Sequence, residues 1–136
     1  MDVRVRITSV AHHALVEAAS REAPAECCGV IGGRDGSIIA VIPVANVAAE
    51  SESHFELDPA GLVAARSALR QAGLDVVGFY HSHPRTSPEP SSYDVANAWY
   101  PESVYVVIGL EPRPAVRAFR IVDGRCCELE LAIEPT

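Results

Sequence analysis

One stretch, residues 76–94, constrains the fold of this chain more than any other. Its apolar run 76–80 is typical of a buried strand, and it passes directly into His81-Ser82-His83. Because side chains alternate along a strand, we expect both imidazoles on one face, roughly 7 Å apart, with Ser82 on the other. Three prolines among the next seven residues exclude regular structure and stiffen the chain. The pattern therefore predicts two convergent histidines at the end of a buried strand.

The residues after these prolines, 91–99, predict a helix whose first turn carries Asp94. Two neutral imidazoles and one carboxylate form the three-ligand set of a catalytic zinc site, with the fourth position left to water. Structural interpretations stay open, since a histidine pair also fits a polar strand end and Ser91-x-x-Asp94 is a capping box. A ligating Asp94 is not expected to cap the helix as well, so the two interpretations make different predictions.

A hydrolytic zinc site also needs a base outside its ligand set. This carboxylate takes a proton from the water that the zinc activates and passes it to the leaving amine. Glu26, at the mouth of an apolar strand that contains glycine, fits this role best. Glu22, Glu89 and Asp58 are further candidates, less well placed along the sequence. The structural alternative for Glu26 is a solvated charge just after a helix.

The rest of the pattern predicts one α+β domain over residues 1–136. Helices are expected ahead of Pro24 and after Asp58-Pro59, and alternating apolar residues indicate a strand at 3–7. Asp35-Gly36 and Asp123-Gly124 each separate two apolar runs, which predicts two β-hairpins. The whole is a mixed sheet of about six or seven strands flanked by three helices, in an α+β or three-layer αβα arrangement.

Composition narrows the classes of function. The net charge is −7, and the eleven basic residues, all arginine, are scattered, so we expect no nucleic-acid partner. No apolar run approaches the roughly 20 residues of a membrane span, and the N-terminus lacks the apolar core of a signal peptide. We therefore expect a cytoplasmic protein with no membrane association and reduced thiols. Its cysteines form the pairs Cys27-Cys28 and Cys126-Cys127, and all but Cys126 are expected to be small core residues.

The candidate residues together resemble a known motif. Glu26, His81-Ser82-His83 and, after seven further residues, Ser91-x-x-Asp94 are similar to the motif of the JAMM (MPN-plus, JAB-domain) zinc metalloproteases. All five diagnostic positions are filled at the correct spacing. Residues 24–30 and 55–59 also resemble segments of the small bacterial members, so the resemblance covers most of the chain. It implies a cytidine-deaminase-like fold without deamination, since no Pro-Cys-x-x-Cys follows the histidines.

The resemblance implies a role for each matching position. His81, His83 and Asp94 would be the ligands of one zinc ion per chain, with water as the fourth. Glu26 would act as general base and acid. Ser91 would donate a hydrogen bond to the oxyanion of the tetrahedral intermediate.

The implied reaction is cleavage after the C-terminal Gly-Gly of a ubiquitin-like protein of the sulfur-carrier type. Glycine suits a narrow site because it lets the backbone approach closely. We expect this tail to add to a sheet edge beside the histidine strand, and His54 to lie in a loop beside the cleft. Two other functions stay open: a non-catalytic MPN-type protein-binding module and a zinc hydrolase of small amides. The sequence identifies neither the carrier nor the oligomeric state, and a homodimer is one of the states left open.

Overall fold

Seven β-strands dominate the fold, and they close on themselves as a barrel. The computed structural model describes residues 4–135, so Val3, expected in the first strand, lies outside the described residues. The strands are β1 Arg4–Thr8, β2 Cys28–Arg34, β3 Ser37–Val44, β4 Asp75–His83, β5 Val104–Gly109, β6 Ala115–Val122 and β7 Arg125–Glu134. The helices are α1 Ser9–Glu22, α2 Pro59–Gln71 and α3 Ser92–Ala96. Around the barrel the order is β1-β3-β2-β4-β5-β6-β7.

The sheet is mixed, and the expected α+β class with seven strands and three helices is confirmed. Hairpins make β2–β3 and β6–β7 antiparallel, whereas β4 and β5 run parallel. The closure comes from β1, which runs parallel to both β3 and β7 and pairs with β7 from Arg4 opposite Glu130 to Thr8 opposite Glu134. The three-layer, cytidine-deaminase-like description stays a prediction.

Local sequence signals set the turns and helix ends. Both hairpin turns use an aspartate and a glycine with positive φ, at Asp35-Gly36 and Asp123-Gly124, as the expected hairpins require. Asp58 caps α2 by accepting a hydrogen bond from the Gly61 N–H at 3.1 Å. Gly73, with a φ of 73°, follows the end of that helix. Within residues 4–135, no helix is long and apolar enough to cross a membrane.

Two apolar clusters lie on the two faces of the sheet, and β4 belongs to both. Helix α1 packs Leu15 into the first cluster, and α2 packs Leu69 into the second. The neighbouring β4 residues Tyr80 and Phe79 divide between these clusters, because side chains alternate along a strand. Burial on both faces therefore fixes the strand that ends in the two histidines.

The structure corrects two expectations, about Cys127 and about the end of α3. Cys27 and Cys28 are buried as expected, but Cys127 is exposed, like Cys126. It lies in the part of β7 that extends beyond the pairing with β1, where only β6 is a neighbour. Helix α3 ends at Ala96 instead of residue 99, so Trp99 lies beyond the helix and its side chain is 74% exposed.

Candidate active site

The end of β4 brings the two predicted histidines together. The Nε2 atoms of His81 and His83 lie 3.2 Å apart, and both side chains are buried. Helix α3 places Asp94 against them, with its Oδ2 atom 2.9 Å from Nε2 of His81 and 3.0 Å from Nε2 of His83. The convergence expected from alternation along the strand is confirmed, and one carboxylate oxygen faces both imidazoles.

This triangle of atoms fits a tetrahedral metal ion. Its edges of 2.9–3.2 Å are close to the roughly 3.3 Å between ligand atoms when a zinc ion has bonds of about 2.0–2.1 Å. The Nδ1–H of His83 donates to the Ser87 carbonyl at 2.9 Å, so neutral His83 turns a lone pair on Nε2 toward the carboxylate of Asp94. Two acceptors that face each other in a buried site need a proton or a cation between them. The donor set is therefore suited to zinc.

His81, His83 and Asp94 form a triad of side chains, and the charge of each depends on the other two. Burial by itself would raise the pKa of Asp94, but hydrogen bonds from the imidazoles, which each makes when its Nε2 carries a proton, and from the Ser91 N–H outweigh it and hold that pKa well below its ordinary value. Burial also opposes charge on His83, yet its contacts with Asp94 and the Ser87 carbonyl raise its pKa. The pKa of His81 is lowered, because its burial outweighs its hydrogen bond to Asp94. The site thus holds a permanent anion that favours a bound cation.

Asp94 caps helix α3 and meets the histidines at the same time. Its Oδ2 accepts the Ser91 N–H at 2.9 Å, and Oγ of Ser91 accepts the Asp94 N–H at 3.1 Å, which is a complete capping box. Capping and contact with the imidazoles thus occur together in Asp94, and its role as a zinc ligand stays a prediction. Ser91 accepts in this box, so its hydroxyl proton stays available for donation.

The proposed base, Glu26, lies beside the triad and is buried, with 5% of its surface exposed. A carboxylate oxygen of Glu26 and one nitrogen of each imidazole lie within 4.8 Å of one another. Asp94 lies 2.9 and 3.0 Å from the two imidazoles, so both carboxylates lie within reach of an ion that the histidines would hold. Oε1 of Glu26 has no hydrogen-bond partner among the described residues. Burial, only partly offset by His83, raises the pKa of Glu26 to about 7.

The other carboxylates that the sequence offers as bases are occupied elsewhere. Glu22 is exposed on α1, and Glu89 is exposed and paired with Arg117 at 3.3 Å. Asp58 caps α2. Of the four candidates, Glu26 alone belongs to the histidine cluster.

Ser82, between the histidines, joins the base to the histidine strand. Its Oγ accepts the Cys27 N–H at 2.8 Å, and its own N–H donates to the Cys27 carbonyl at 3.1 Å. Because Cys27 directly follows Glu26, these two bonds set the position of the base relative to His81 and His83. Sequence reasoning predicted that Ser82 points away from the histidines but missed this contact.

The loop 45–57 covers one side of the site. Phe55 stacks on the His81 ring, with centroids 4.3 Å apart, and His54 contacts the Tyr93 ring at 4.1 Å. The loop thus bridges β4 and α3, the two elements that carry the triad. Residues 55–59 resemble a segment of the small bacterial family members, and nothing else in the sequence indicated that Phe55 lies at the site.

The expected docking of a substrate tail beside the histidine strand does not fit the barrel. Strand β4 pairs with β2 on one side and with β5 on the other, along its length up to the histidines. Within residues 4–135 it offers no free edge, since the barrel is closed.

The site thus contains a buried histidine pair with a shared carboxylate, and a second buried carboxylate within 4.8 Å of one nitrogen of each imidazole. The model of the family "Prokaryotic homologs of the JAB domain" matches residues 8–122. The chain therefore belongs to this family and is a peptidase of the JAMM type, as its motif indicated.

Relatives and a solved structure agree with this assignment. A desampylase of Haloferax volcanii is 40% identical over 93% of this chain and 90% of its own. A CysO-cysteine peptidase of Mycobacterium tuberculosis is 36% identical over 85% and 82%. A probable TtuB-protein conjugate cleaving protease of Thermus thermophilus is 36% identical over 77% and 68%. The solution structure of a Desulfitobacterium hafniense protein superimposes with a TM-score of 0.89 at 31% identity, over 97% of this chain and 94% of that one.

Proposed function

We propose that this protein is a zinc peptidase or isopeptidase that cleaves after the C-terminal Gly-Gly of a ubiquitin-like protein of the sulfur-carrier type. One observation carries the catalytic part of the proposal: a buried carboxylate contacts two imidazoles, next to a second buried carboxylate whose Oε1 has no hydrogen-bond partner among the described residues. The names of two similar proteins, a CysO-cysteine peptidase and a probable TtuB-protein conjugate cleaving protease, support a protein adduct as the substrate.

In the proposed reaction His81, His83 and Asp94 hold one zinc ion per chain. When bound there, zinc would lower the pKa of a water toward about 7 and polarise the scissile carbonyl. Glu26 takes a proton from the attacking water, whose oxygen bonds to the carbonyl carbon. The Ser91 hydroxyl donates to the carbonyl oxygen as negative charge develops on it. Glu26 then gives the proton to the amine as the C–N bond breaks.

The local environment suits Glu26 to both halves of this task. A carboxyl with a pKa of about 7 can accept a proton and release it near neutral pH. The Ser82–Cys27 bonds keep its backbone in place, so little reorganisation is needed during turnover. Its carboxylate keeps a free oxygen because Oε1 makes no hydrogen bond within the described chain.

Mass spectrometry on a zinc-loaded reaction tests the proposal. The substrate is a ubiquitin-fold carrier extended beyond its Gly-Gly, and the matched substrate carries alanine in place of the second glycine. We expect cleavage directly after Gly-Gly and a much slower reaction of the alanine form. Glu26→Gln should bind zinc normally but lose about 10²- to 10⁴-fold in kcat, since only the base is removed. His83→Ala should lose the metal, which elemental analysis detects.

Three results would redirect the proposal. Cleavage of small amides alongside intact carriers would favour the small-amide hydrolase. Full activity of Glu26→Gln would show that another group acts as base. Intact substrates of both kinds, despite bound zinc and a normal fold, would favour the binding module.

A further inference from the structure

The side chain of Asn46, two residues after the end of β3, makes four hydrogen bonds and all of them go to the backbone. Its Nδ2 donates to the carbonyls of Glu26 and His54, each at 3.0 Å. Its Oδ1 accepts the N–H groups of Ala48 and Glu56, also at 3.0 Å. An asparagine amide has two donor hydrogens and two acceptor lone pairs, so this one is fully used. Only this orientation of the amide satisfies all four partners.

Two of these contacts lie on either side of Phe55. The His54 carbonyl belongs to the peptide before Phe55, and the Glu56 N–H belongs to the peptide after it. Asn46 therefore fixes the backbone around the ring that stacks on His81 at 4.3 Å. The two peptide groups cannot turn independently while both bonds are made, so the position of Phe55 depends on Asn46.

A third contact reaches the base. The Glu26 carbonyl accepts from Asn46, and the Glu26 N–H donates to the Ser51 carbonyl at 2.7 Å. Both backbone polar groups of Glu26 are thus bonded to the loop 45–57, while the next residue, Cys27, is bonded to Ser82 of β4. The backbone of the base is held between the loop and the histidine strand.

We infer that Asn46 is a positioning residue that sets Glu26 and the Phe55-bearing loop in one common arrangement. It touches neither the triad nor the reacting groups, and it acts through the backbone of Glu26. The inference rests on the proposed peptidase reaction for its kinetic consequence. A hydrogen bond of this kind, outside the ligand set, typically changes activity by about 10- to 100-fold when it is removed. Glu26 and the loop then move as one unit, so a partner that shifts the loop also shifts the base.

Two substitutions separate the donor contacts from the acceptor contacts. Asn46→Ala removes all four bonds. Asn46→Asp keeps an acceptor for Ala48 and Glu56 but places a carboxylate oxygen against the carbonyls of Glu26 and His54. We expect kcat to fall about 10- to 100-fold in both variants, with one zinc ion per chain retained. Ser53→Ala is the matched loop control, because its exposed hydroxyl makes only a 3.4 Å contact with the Glu50 carbonyl, and it should keep the wild-type kcat.

A combined variant distinguishes positioning from simple stabilisation of the fold. If Asn46 acts through Glu26, Asn46→Ala added to Glu26→Gln should cost no further activity, since the group it positions is already gone. Assays well below the unfolding temperature keep every variant folded. Wild-type kcat in Asn46→Ala, with only the unfolding temperature lowered, would overturn the inference. Independent, multiplicative losses in the double variant would overturn it as well.

Hydrogen exchange gives a readout that needs no turnover. Asn46→Ala should speed exchange of the Glu56 N–H, which loses its acceptor, and of the Glu26 N–H, which keeps its bond to Ser51 but loses the loop's support. An unchanged Glu26 N–H would refute the coupling between loop and base. A wild type that cleaves no carrier would count against the proposed function, and the exchange rates would still decide the role of Asn46.

Discussion

Glu26 combines burial with a free carboxylate oxygen, and this gives the metal-free protein a distinctive pH dependence. Burial raises the pKa of Glu26 from 4.5 to about 7, so between these values the folded chain binds a proton that the unfolded chain has released. The contribution of Glu26 to the free energy of unfolding is therefore fully present below about pH 4.5 and is lost as the pH rises through about 7. The direction is opposite to that of an ion-paired carboxylate.

Urea unfolding in a chelator, at pH 5 and pH 8, measures this effect. Between pH 5 and pH 8 the free energy of unfolding of the wild type should fall by up to about 3 kcal/mol relative to that of Glu26→Gln. Each unit of pKa shift corresponds to about 1.4 kcal/mol. Groups that do not interact with Glu26 titrate in both proteins and cancel in the difference, whereas His83, whose pKa Glu26 helps to raise, contributes to it. A pH-independent difference between the two would show that Glu26 keeps an ordinary pKa.

Ser91 has two roles, and two substitutions separate them. Its Oγ caps α3 and its hydroxyl proton is free to donate. Ser91→Ala should cost about 1 kcal/mol of stability through the lost cap, whereas Ser91→Gly should cost only a few tenths. Both should lose about 10²- to 10³-fold in kcat if the hydroxyl donates to the oxyanion. A loss of activity that followed stability instead, small in glycine and large in alanine, would assign Ser91 to capping alone.

For single residues, the sequence predicted the candidates but not the contacts that hold them in place. The spacing of His81, His83 and Asp94 was informative, because alternation and helix starts are local rules. The roles of Asn46 and Ser82 depend on bonds to Glu26 and Cys27, which are 20 and 55 residues away, and no local pattern encodes such contacts.

Among the elements, the pairing of β4 with β5 depends on a missing side chain. A Cβ atom added to Gly78 would lie 1.8 Å from the Val104 carbonyl oxygen, which belongs to the neighbouring backbone and cannot turn aside. Gly78→Ala should therefore destabilise the fold by about 3 kcal/mol or more, beyond the usual cost of overpacking. Urea unfolding, or the loss of the native circular dichroism spectrum, would detect it.

Gly73 provides the matched comparison. It has a φ of 73°, and an added Cβ would meet no atom within 4 Å. Gly73→Ala should cost only the roughly 1–2 kcal/mol of a left-handed backbone. Equal losses in the two variants would mean that the close approach of β5 adds no large cost at Gly78, which has no positive φ.

Elements defined by local signals were predicted well, and those defined by distant partners were not. The Asp-Gly hairpins and the capped α2 follow from residues within a few positions. Closure of the barrel requires β1 to pair with β7, more than 120 residues along the chain, in registers such as Arg4 opposite Glu130. The early end of α3 likewise could not be derived, since Ala98 and Trp99 have no local signal that stops a helix.

The metal site joins two parts of the molecule, because two proposed ligands lie on β4 and the third on α3. Strand β4 is part of both apolar clusters, so we expect its amides to exchange only through global unfolding. The five-residue α3 is short enough to open locally. If Asp94 binds zinc, that local opening must release the ion. Zinc at about a hundred times its dissociation constant then raises two free energies by the same amount, roughly 2.7 kcal/mol: that of global unfolding, which exposes β4, and that of the local opening of α3.

Amide exchange with and without zinc tests this linkage across the molecule. The amides of α3 and β4 should both slow by about a hundredfold, whereas the end of the β2–β3 hairpin, at the opposite end of β2 from the residue that pairs with His81, should keep its local exchange rate. Asp94→Asn is the matched control: its amide oxygen can still accept the Ser91 N–H, but a neutral amide is a poor zinc ligand, so the slowing in α3 should disappear. If zinc slowed β4 but left α3 unchanged in the wild type, α3 would open without releasing the ion. Asp94 would then be a helix cap alone, and Glu26, the other carboxylate beside the imidazoles, would become the third ligand.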